Sequence, residues 1–156
     1  MGLPKYPNFT KIVLSLNKHH VDYLVIGGLA VNLYGYARMT EDIDILFRPE
    51  KANGKKLLIV LNEFGFDIKS IQDLDFSEPL HLRLGEFPNS VDLINHTVGV
   101  DLKKIFKNGR IFIIGKIPVK VIDLIDLIEN KTALNTYKDL ADAENLKKIK
   151  KRKEKK

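Results

Sequence analysis

Tyr23-Leu-Val-Ile-Gly-Gly28 and Arg38-Met-Thr-Glu-Asp42-Ile-Asp44-Ile-Leu-Phe47 are the stretches of sequence that decide the fold. The first is a short apolar run of strand type that ends at two glycines, which predicts a turn. The following residues, 29–34, are predicted to form a helix with free N–H groups at its start. A glycine turn that leads into a helix N-terminus can hold phosphate oxygens.

The second stretch alternates with a period of two, which predicts a strand with Asp42 and Asp44 on one face. The opposite face then carries Ile43, Ile45 and Phe47. Adjacent carboxylates on a rigid element suit a hard divalent cation such as Mg²⁺. Taken alone, Gly-Gly is a common turn and Asp-x-Asp is more often a solvated strand face. Their order and separation together indicate nucleotide chemistry.

These residues resemble the signature of the DNA-polymerase-β-like nucleotidyltransferase superfamily, which is a hydrophobic strand, Gly-Gly or Gly-Ser, a helix and then Asp-x-Asp. The run Tyr34-Gly-Tyr-Ala-Arg38-Met-Thr40-Glu-Asp42-Ile-Asp44 is similar to a small bacterial and archaeal branch that includes abortive-infection toxins and antibiotic nucleotidyltransferases. Asp126-Leu-Ile-Glu-Asn-Lys131-Thr-Ala and Lys138-Asp139-Leu-Ala-Asp142 are similar to the C-terminal helical pattern of that family. Many relatives carry an arginine where this chain has Thr136.

The resemblance implies an α/β (α+β) fold of the nucleotidyltransferase palm type, with a mixed sheet of about five strands, flanking helices and a helical C-terminus. Apolar periodicity predicts strands at 23–26, 42–47, 81–84, 90–94, 110–114 and 117–121. It predicts helices at 8–18, 49–64, 100–106, 123–129 and 137–148. Residues 67–79 follow neither pattern. We expect one domain at 1–146, followed by a basic tail at 147–156.

Charge is distributed unevenly along the chain. The 156 residues carry a net charge of +6, and 44% hydrophobic with 29% charged residues is typical of one soluble globular domain. Residues 147–156 hold eight basic residues and one acid, a net charge of +7, which leaves −1 for the rest. The tail is interpreted first as a solvated extension of a helix, with contact to RNA or a partner as the alternative.

Several kinds of site and location are disfavoured by what the sequence lacks. It contains no cysteine, which excludes a disulfide framework, a thiol nucleophile and a cysteine zinc site. No two of the four histidines have metal-ligand spacing. The first residues lack the apolar core of a secretory signal, and no segment has the length of a membrane span, so we expect a cytoplasmic location and no membrane partner.

Asp92 is the third candidate carboxylate, because in Val91-Asp92-Leu93 it alternates with two apolar neighbours. The resemblance implies that Asp42, Asp44 and Asp92 form the catalytic and metal-binding set, which can hold one or two Mg²⁺ ions. Asp92 is also suited to take the proton of an acceptor hydroxyl. The alternatives for Asp92 are a salt bridge to Arg83 or a strand-edge charge.

Six further residues are predicted to bind the nucleoside triphosphate. The glycine turn supplies two of them and cationic or hydroxyl side chains the rest: Gly27, Gly28, Arg38, Thr40, Lys131 and Lys138. The alternative for Arg38 and Thr40, which precede the strand of Asp42 and Asp44, is an ordinary loop role. The alternative for the two lysines is a solvated helix face.

Two acids of the C-terminal region have a structural interpretation. Thr136-Tyr-Lys-Asp139 predicts a capping box at a helix start, and Asp142 lies one turn further along the same face. The resemblance implies a structural or orienting role for Asp139 and Asp142.

The expected activity is Mg²⁺-dependent transfer of a nucleoside monophosphate from a nucleoside triphosphate to a hydroxyl, with release of pyrophosphate. The resemblance implies the toxin of a toxin–antitoxin or defence system, with an antitoxin protein as partner. An antibiotic nucleotidyltransferase of the aminoglycoside or lincosamide type is one alternative. A catalytically silent nucleotide-binding module is another. The acceptor stays open between RNA, such as tRNA, and a small molecule.

Overall fold

A computed structural model describes residues 7–86 and 90–155 of the chain. The strands in this part are β1 (Tyr23–Ile26), β2 (Ile43–Phe47), β3 (His81–Leu84), β4 (Val91–Ile94), β5 (Arg110–Ile114) and β6 (Ile117–Val121). The helices are α1 (Pro7–Lys18), α2 (Gly27–Leu33), α3 (Lys51–Glu63), α4 (Ile68–Ile71), α5 (Leu102–Asn108), α6 (Leu124–Leu134) and α7 (Tyr137–Glu154).

The strands form one mixed sheet in the order β3-β4-β2-β1-β6-β5. Strand β2 is antiparallel to β1 and parallel to β4, so it lies in the interior of the sheet. Its residues Ile43, Ile45, Leu46 and Phe47 are all 0% exposed, although they alternate between the two faces. Both faces of the central sheet are therefore covered. The predicted mixed sheet with flanking helices is confirmed, and it has six strands where about five were expected.

The helices pack in two groups, α1 against α3 and α2 against α6, with α7 packed along α6. Helix α6 ends at Asn135, whose φ of 59° is left-handed, and α7 begins directly afterwards. The hydroxyl of Thr136 accepts a hydrogen bond from the backbone N–H of Asp139 at 3.1 Å, which caps α7. This tight reversal brings the end of α6 beside the first turns of α7.

Several elements differ from the prediction, and capping side chains account for two of the differences. Helix α2 begins at Gly27 and not at residue 29, directly after β1. The carboxylate of Asp101 accepts hydrogen bonds from two backbone N–H groups and starts α5 at Leu102, two residues later than predicted. Asp67 caps the short helix α4 within the segment that had no assignment. Helix α6 continues to Leu134, past the predicted end at 129.

Helix α7 continues without a break from Tyr137 to Glu154, and the boundary expected at 146 falls inside it. Leu146 is fully buried, and the ammonium of Lys153 lies 5.4 Å from the centre of the Tyr34 ring. Residues 1–6 and 87–89 of the expected domain, and Lys156 of the expected tail, lie outside the described residues. None of the helices in the described ranges is both long and apolar enough to cross a membrane.

Asn95 follows β4 and fixes the segment that leads into β3. Its Oδ1 accepts a hydrogen bond from the N–H of Leu80 at 2.7 Å, and its Nδ2 donates to the carbonyls of Phe76 and Glu78 at 2.9 and 2.7 Å. The residue is 2% exposed. Removal of this amide would leave buried backbone groups without partners, which is more costly than the loss of a solvated hydrogen bond.

We predict that Asn95→Ala lowers the free energy of unfolding by about 2–4 kcal/mol, because buried polar groups lose their partners. Urea denaturation measures the change. The matched control is Asn145→Ala, since the Asn145 amide donates only to the carbonyl of Ala141 on an exposed helix surface. Equal stability of the two variants would contradict the assigned role of Asn95.

Candidate active site

One row of paired residues crosses the sheet and contains two of the predicted carboxylates. The strand register pairs Ile26 of β1 with Asp44 of β2, Asp44 with Asp92 of β4, and Asp92 with Arg83 of β3. Paired residues of neighbouring strands lie on the same face of a sheet. Asp44 and Asp92 therefore lie side by side, and Asp42 precedes β2 by one residue.

The carboxylate of Asp44 is held in an environment that disfavours its charge. Burial, and then repulsion from Asp92 and Asp42, raises its pKa to about 6. Asp42 accepts a hydrogen bond from the hydroxyl of Ser90 at 2.6 Å, and Ser90 is 0% exposed. A close set of carboxylate oxygens whose repulsion is not fully compensated is the donor chemistry that fits a hard divalent cation.

Asp92 has protein partners of its own. Its Oδ1 accepts from Nε of Arg83 at 2.8 Å and lies 3.1 Å from Nε2 of His81, and its Oδ2 lies 3.3 Å from Nη2 of Arg83. Burial acts to raise the pKa of Asp92, but the hydrogen bonds from Arg83 and His81 outweigh it and hold the pKa below its usual range. The alternative of a salt bridge to Arg83 is thus realised. Within residues 7–86 and 90–155, no three acids or histidines are arranged around one metal position.

The two glycines are required by side chains of the site itself. Gly27 has a φ of +67°, and a Cβ atom added there would lie 2.5 Å from Oδ2 of Asp44. A Cβ atom on Gly28 would lie 2.6 Å from Oγ1 of Thr40 and 3.0 Å from Nη2 of Arg38. Larger residues would displace these side chains, so the close approach explains both glycines. Phosphate binding at this turn stays a prediction.

An open cavity of about 220 Å³ connects the glycine turn with the acids and the C-terminal helices. It is lined by Gly28, Arg38, Thr40, Glu41, Asp42, Asp44, Lys131, Lys138 and Asp139. Seven of the nine predicted site residues are among them, and the remaining two, Gly27 and Asp92, adjoin Asp44. A larger cavity of about 350 Å³ beside α3 and α4 contains none of the nine, so chemistry and not size identifies the site.

Asp142 binds two of the cationic side chains that line this cavity. Both of its oxygens accept from the guanidinium of Arg38, at 2.7 and 2.8 Å, and its Oδ2 lies 3.0 Å from Nζ of Lys131. Burial opposes the charge of Asp142, but these hydrogen bonds outweigh it and lower its pKa. Nζ of Lys131 also donates to Asp139 at 2.9 Å. The orienting role implied for both acids thus has a geometric basis.

The cations that line the cavity differ in how they are held. Arg38 and Lys131 are engaged in the ion pairs with Asp142, and the Lys131 side chain is 5% exposed. Lys138 is exposed, and it has no ion pair within the described ranges of the chain. Lys138 is therefore the lining cation that can turn to an incoming anion with the least rearrangement.

Two residues that contact the acids were missed by the sequence analysis. Ser90 binds Asp42, and His81 binds Asp92. The period of two along β3 and into β4 carried a usable signal, because Ser90 shares a face with Asp92 and His81 with Arg83. The pairing of β3 with β4, which brings the two faces together, is not visible in the local pattern.

Solved structures of known proteins share this architecture. The chain is similar to the lincosamide antibiotic adenylyltransferase LnuA in its lincomycin-bound form, at 18% identity over 96% of this chain and 99% of that chain, with a TM-score of 0.62. The chain has the nucleotidyltransferase fold. No family model and no curated protein sequence matches it.

Two further structures support the nucleotidyltransferase fold. A nucleotidyltransferase candidate from Thermotoga maritima is 19% identical over 100% of this chain and 97% of its own, with a TM-score of 0.57. ANT(2″)-Ia in complex with adenylyl-2″-tobramycin is 15% identical over 80% of this chain and 72% of its own, with a TM-score of 0.51. The predicted resemblance is confirmed as a shared fold.

We predict that Asp44→Asn stabilises the protein at neutral pH in the presence of a chelator. The native pKa of about 6 lies above the ordinary value of 3.8, so the native state binds more protons than the unfolded state between these values. The stability of the parent protein should therefore fall as the pH rises through this window, by on the order of 2 kcal/mol. The variant should not show this fall.

Melting temperatures of both proteins from about pH 4 to pH 8 measure the effect. Asp73→Asn is the control, because it removes the same charge from an exposed position away from the site. Lower stability of Asp44→Asn than of the parent above pH 6 would contradict the electrostatic picture.

Proposed function

We propose that this protein is a nucleotidyltransferase that transfers a nucleoside monophosphate from a nucleoside triphosphate to an acceptor hydroxyl. The observation that carries the proposal is the pairing of Asp44 with Asp92 beside Asp42, at the edge of a cavity that also contains Gly28 and Lys138. In the reaction, a bond forms between the acceptor oxygen and the α-phosphorus. The bond to the β-phosphate breaks, and pyrophosphate leaves with the electron pair.

Asp42 and Asp44 would hold a divalent cation such as Mg²⁺, with Asp92 as a further ligand. The fit rests on the donor set, because Asp44 is paired with Asp92 and lines the same cavity as Asp42, and carboxylate oxygens are the ligands that a hard cation prefers. One or two such ions supply stabilisation of the charge that develops on the attacking and leaving oxygens.

The residues of the chain supply binding and orientation. Lys138 is placed to contact the triphosphate, while Asp142 positions Arg38 and Lys131 in the cavity wall. Asp92 would accept the proton of the acceptor hydroxyl, since it lies next to Asp44 on the strand between β2 and the edge strand β3. The acceptor then approaches from the β3 side and the nucleotide from the α7 side.

The acceptor has two candidate classes. LnuA binds lincomycin and ANT(2″)-Ia is seen with adenylyl-2″-tobramycin, which supports a small antibiotic by likeness of fold. An RNA acceptor is supported by the basic end of α7, where most lysines are exposed on an ordered helix. The motif resemblance supports a cytoplasmic toxin with an antitoxin partner for the RNA case. A silent nucleotide-binding module would keep the fold without transfer.

We predict that Asp42→Asn and Asp44→Asn each reduce transfer by at least about a hundredfold, because each removes a charge that holds the cation. Labelled nucleoside triphosphates, Mg²⁺ and separate pools of tRNA, protein, lincosamide and aminoglycoside provide the assay. Asp73→Asn should retain full activity. If the parent is a toxin, the same two variants should also relieve growth arrest on expression. Binding of nucleotide by the parent without transfer to any pool would favour the silent module.

Lys138→Met provides a narrower test of the cavity. We expect transfer to fall about tenfold to a hundredfold, since a charged contact to phosphate is lost. Lys107→Met is the control, because it removes an exposed lysine of α5 that lines neither the cavity nor the basic end of α7. Equal activity of the two variants would remove Lys138 from the site.

Nucleotide binding should depend on the divalent cation. We predict that a nucleoside triphosphate raises the melting temperature with Mg²⁺ and not with chelator, because the three carboxylates otherwise repel it. At a ligand concentration one hundred times the dissociation constant, the gain is about 2.7 kcal/mol. Equal stabilisation in chelator would indicate a cation-independent phosphate site and contradict the proposed arrangement.

The basic end of α7 distinguishes the acceptor classes. Truncation at residue 145 would remove the buried Leu146, so exposed lysines should be neutralised in place. We predict that glutamine at Lys147, Lys148, Lys151 and Lys155 flattens the salt dependence of RNA binding, whose slope is roughly 0.7–0.9 per phosphate contact. Modification of a small antibiotic should not respond. An unchanged RNA salt slope would remove the support for an RNA acceptor.

A further inference from the structure

Asp92 is bound by Arg83, although the proposed function makes Asp92 a ligand of the divalent cation. Asp92 is 5% exposed, and both of its oxygens are directed at Arg83, with His81 as a second partner. Asp44 is paired with Asp92 on the neighbouring strand β2, and burial and then the charge of Asp92 raise the pKa of Asp44. The same carboxylate is therefore neutralised on one side by a guanidinium and repelled on the other by an acid.

Arg83 is placed so that it can leave Asp92 without disturbing the core. Its side chain is 49% exposed, and it lies on β3, which is an edge strand of the sheet. Arg83 donates two hydrogen bonds to Asp92, one from Nε and one from Nη2. A guanidinium that swings into water regains its hydration, whereas the buried carboxylate needs another cation in its place.

We propose that Arg83 is a positioning residue that holds Asp92 away from the divalent-cation site until a cation displaces it. The proposal rests on the proposed function, because it takes Asp92 as a cation ligand. The guanidinium and the cation compete for the same two oxygens. Arg83 therefore weakens cation binding and keeps the buried charge compensated when no cation is present.

The test is Mn²⁺ binding to the full chain without nucleotide, followed by the electron paramagnetic resonance signal of free Mn²⁺. Arg83→Met should bind Mn²⁺ about tenfold more tightly than the parent, which is the lower end of the range for a hydrogen-bonded charge, since Arg83 is half exposed. Arg110→Met is the matched control, because Arg110 forms a similar exposed pair with Asp123 at 3.0 Å on the opposite edge strand. It should leave the Mn²⁺ affinity unchanged.

A double-mutant cycle with Asp92→Asn isolates the competition. Asp92→Asn alone should bind Mn²⁺ more weakly than the parent, and the added Arg83→Met should bring no gain. Arg83→Lys keeps the charge, but with a single donor group, and should give an affinity between those of the parent and Arg83→Met. If Arg83→Met is too unstable to titrate, the same order is expected from Arg83→Gln and Arg83→Lys.

The melting temperature provides a second measurement. If the contact were merely structural, the effect of its removal on stability would not depend on Mn²⁺. In chelator, Arg83→Met should melt below the parent, because Asp92 loses its main partner, and saturating Mn²⁺ should reduce the difference. Equal or weaker Mn²⁺ binding by Arg83→Met, with nucleotide transfer by the parent intact, would overturn this role and leave the proposed function standing. Tighter binding by Arg83→Met, with no transfer by the parent to any acceptor, would support the competition and contradict the proposed function.

Discussion

Repulsion between Asp44 and Asp92 is the constraint on which the rest of the site depends. The parallel pairing of β2 with β4 sets the two carboxylates side by side, and burial prevents water from screening them. The residues around the two carboxylates accommodate each of them in a different way. Gly27 leaves room for an Asp44 oxygen, and Arg83 compensates Asp92 at the edge of the sheet. An arrangement that costs stability is kept where a bound cation would turn repulsion into attraction.

On the opposite wall of the cavity, the acidic charges are compensated by cations. There, two cations share the buried Asp142, and their hydrogen bonds lower its pKa, whereas burial and the neighbouring carboxylates raise the pKa of Asp44. A satisfied network of this kind is rigid, because each partner would leave an uncompensated buried charge if it moved. The cavity therefore joins a wall with excess negative charge to a wall with fixed ion pairs, and the exposed Lys138 of α7 also lines it. This combination suits a ligand that carries both a cation and phosphates.

Under the proposed function, the acceptor would contact the β3 side of the sheet, and an RNA acceptor would also contact α7. Arg83 and His81 stand next to Asp92, where the acceptor hydroxyl would approach, and both side chains are about half exposed. Under the proposed function, the guanidinium of Arg83 would disfavour a polycationic acceptor such as an aminoglycoside and favour an anionic one. The ordered basic end of α7 agrees with this preference, although it lies at the far end of the helix from Lys138.

The sequence by itself predicted the fold class and the nine candidate residues, because glycine turns and strand alternation are local properties of the chain and their order resembles a nucleotidyltransferase signature. The glycine pair, Asp42 and Asp44 were recognisable from spacing alone. Only the tertiary structure decided which residues meet. Strands β2 and β4 are separated by more than forty residues, and their register alone sets Asp44 beside Asp92. The partners of Asp142 and of Asp92 depend on such non-local pairing, since an ion pair is fixed by distance in space and leaves no period in the sequence.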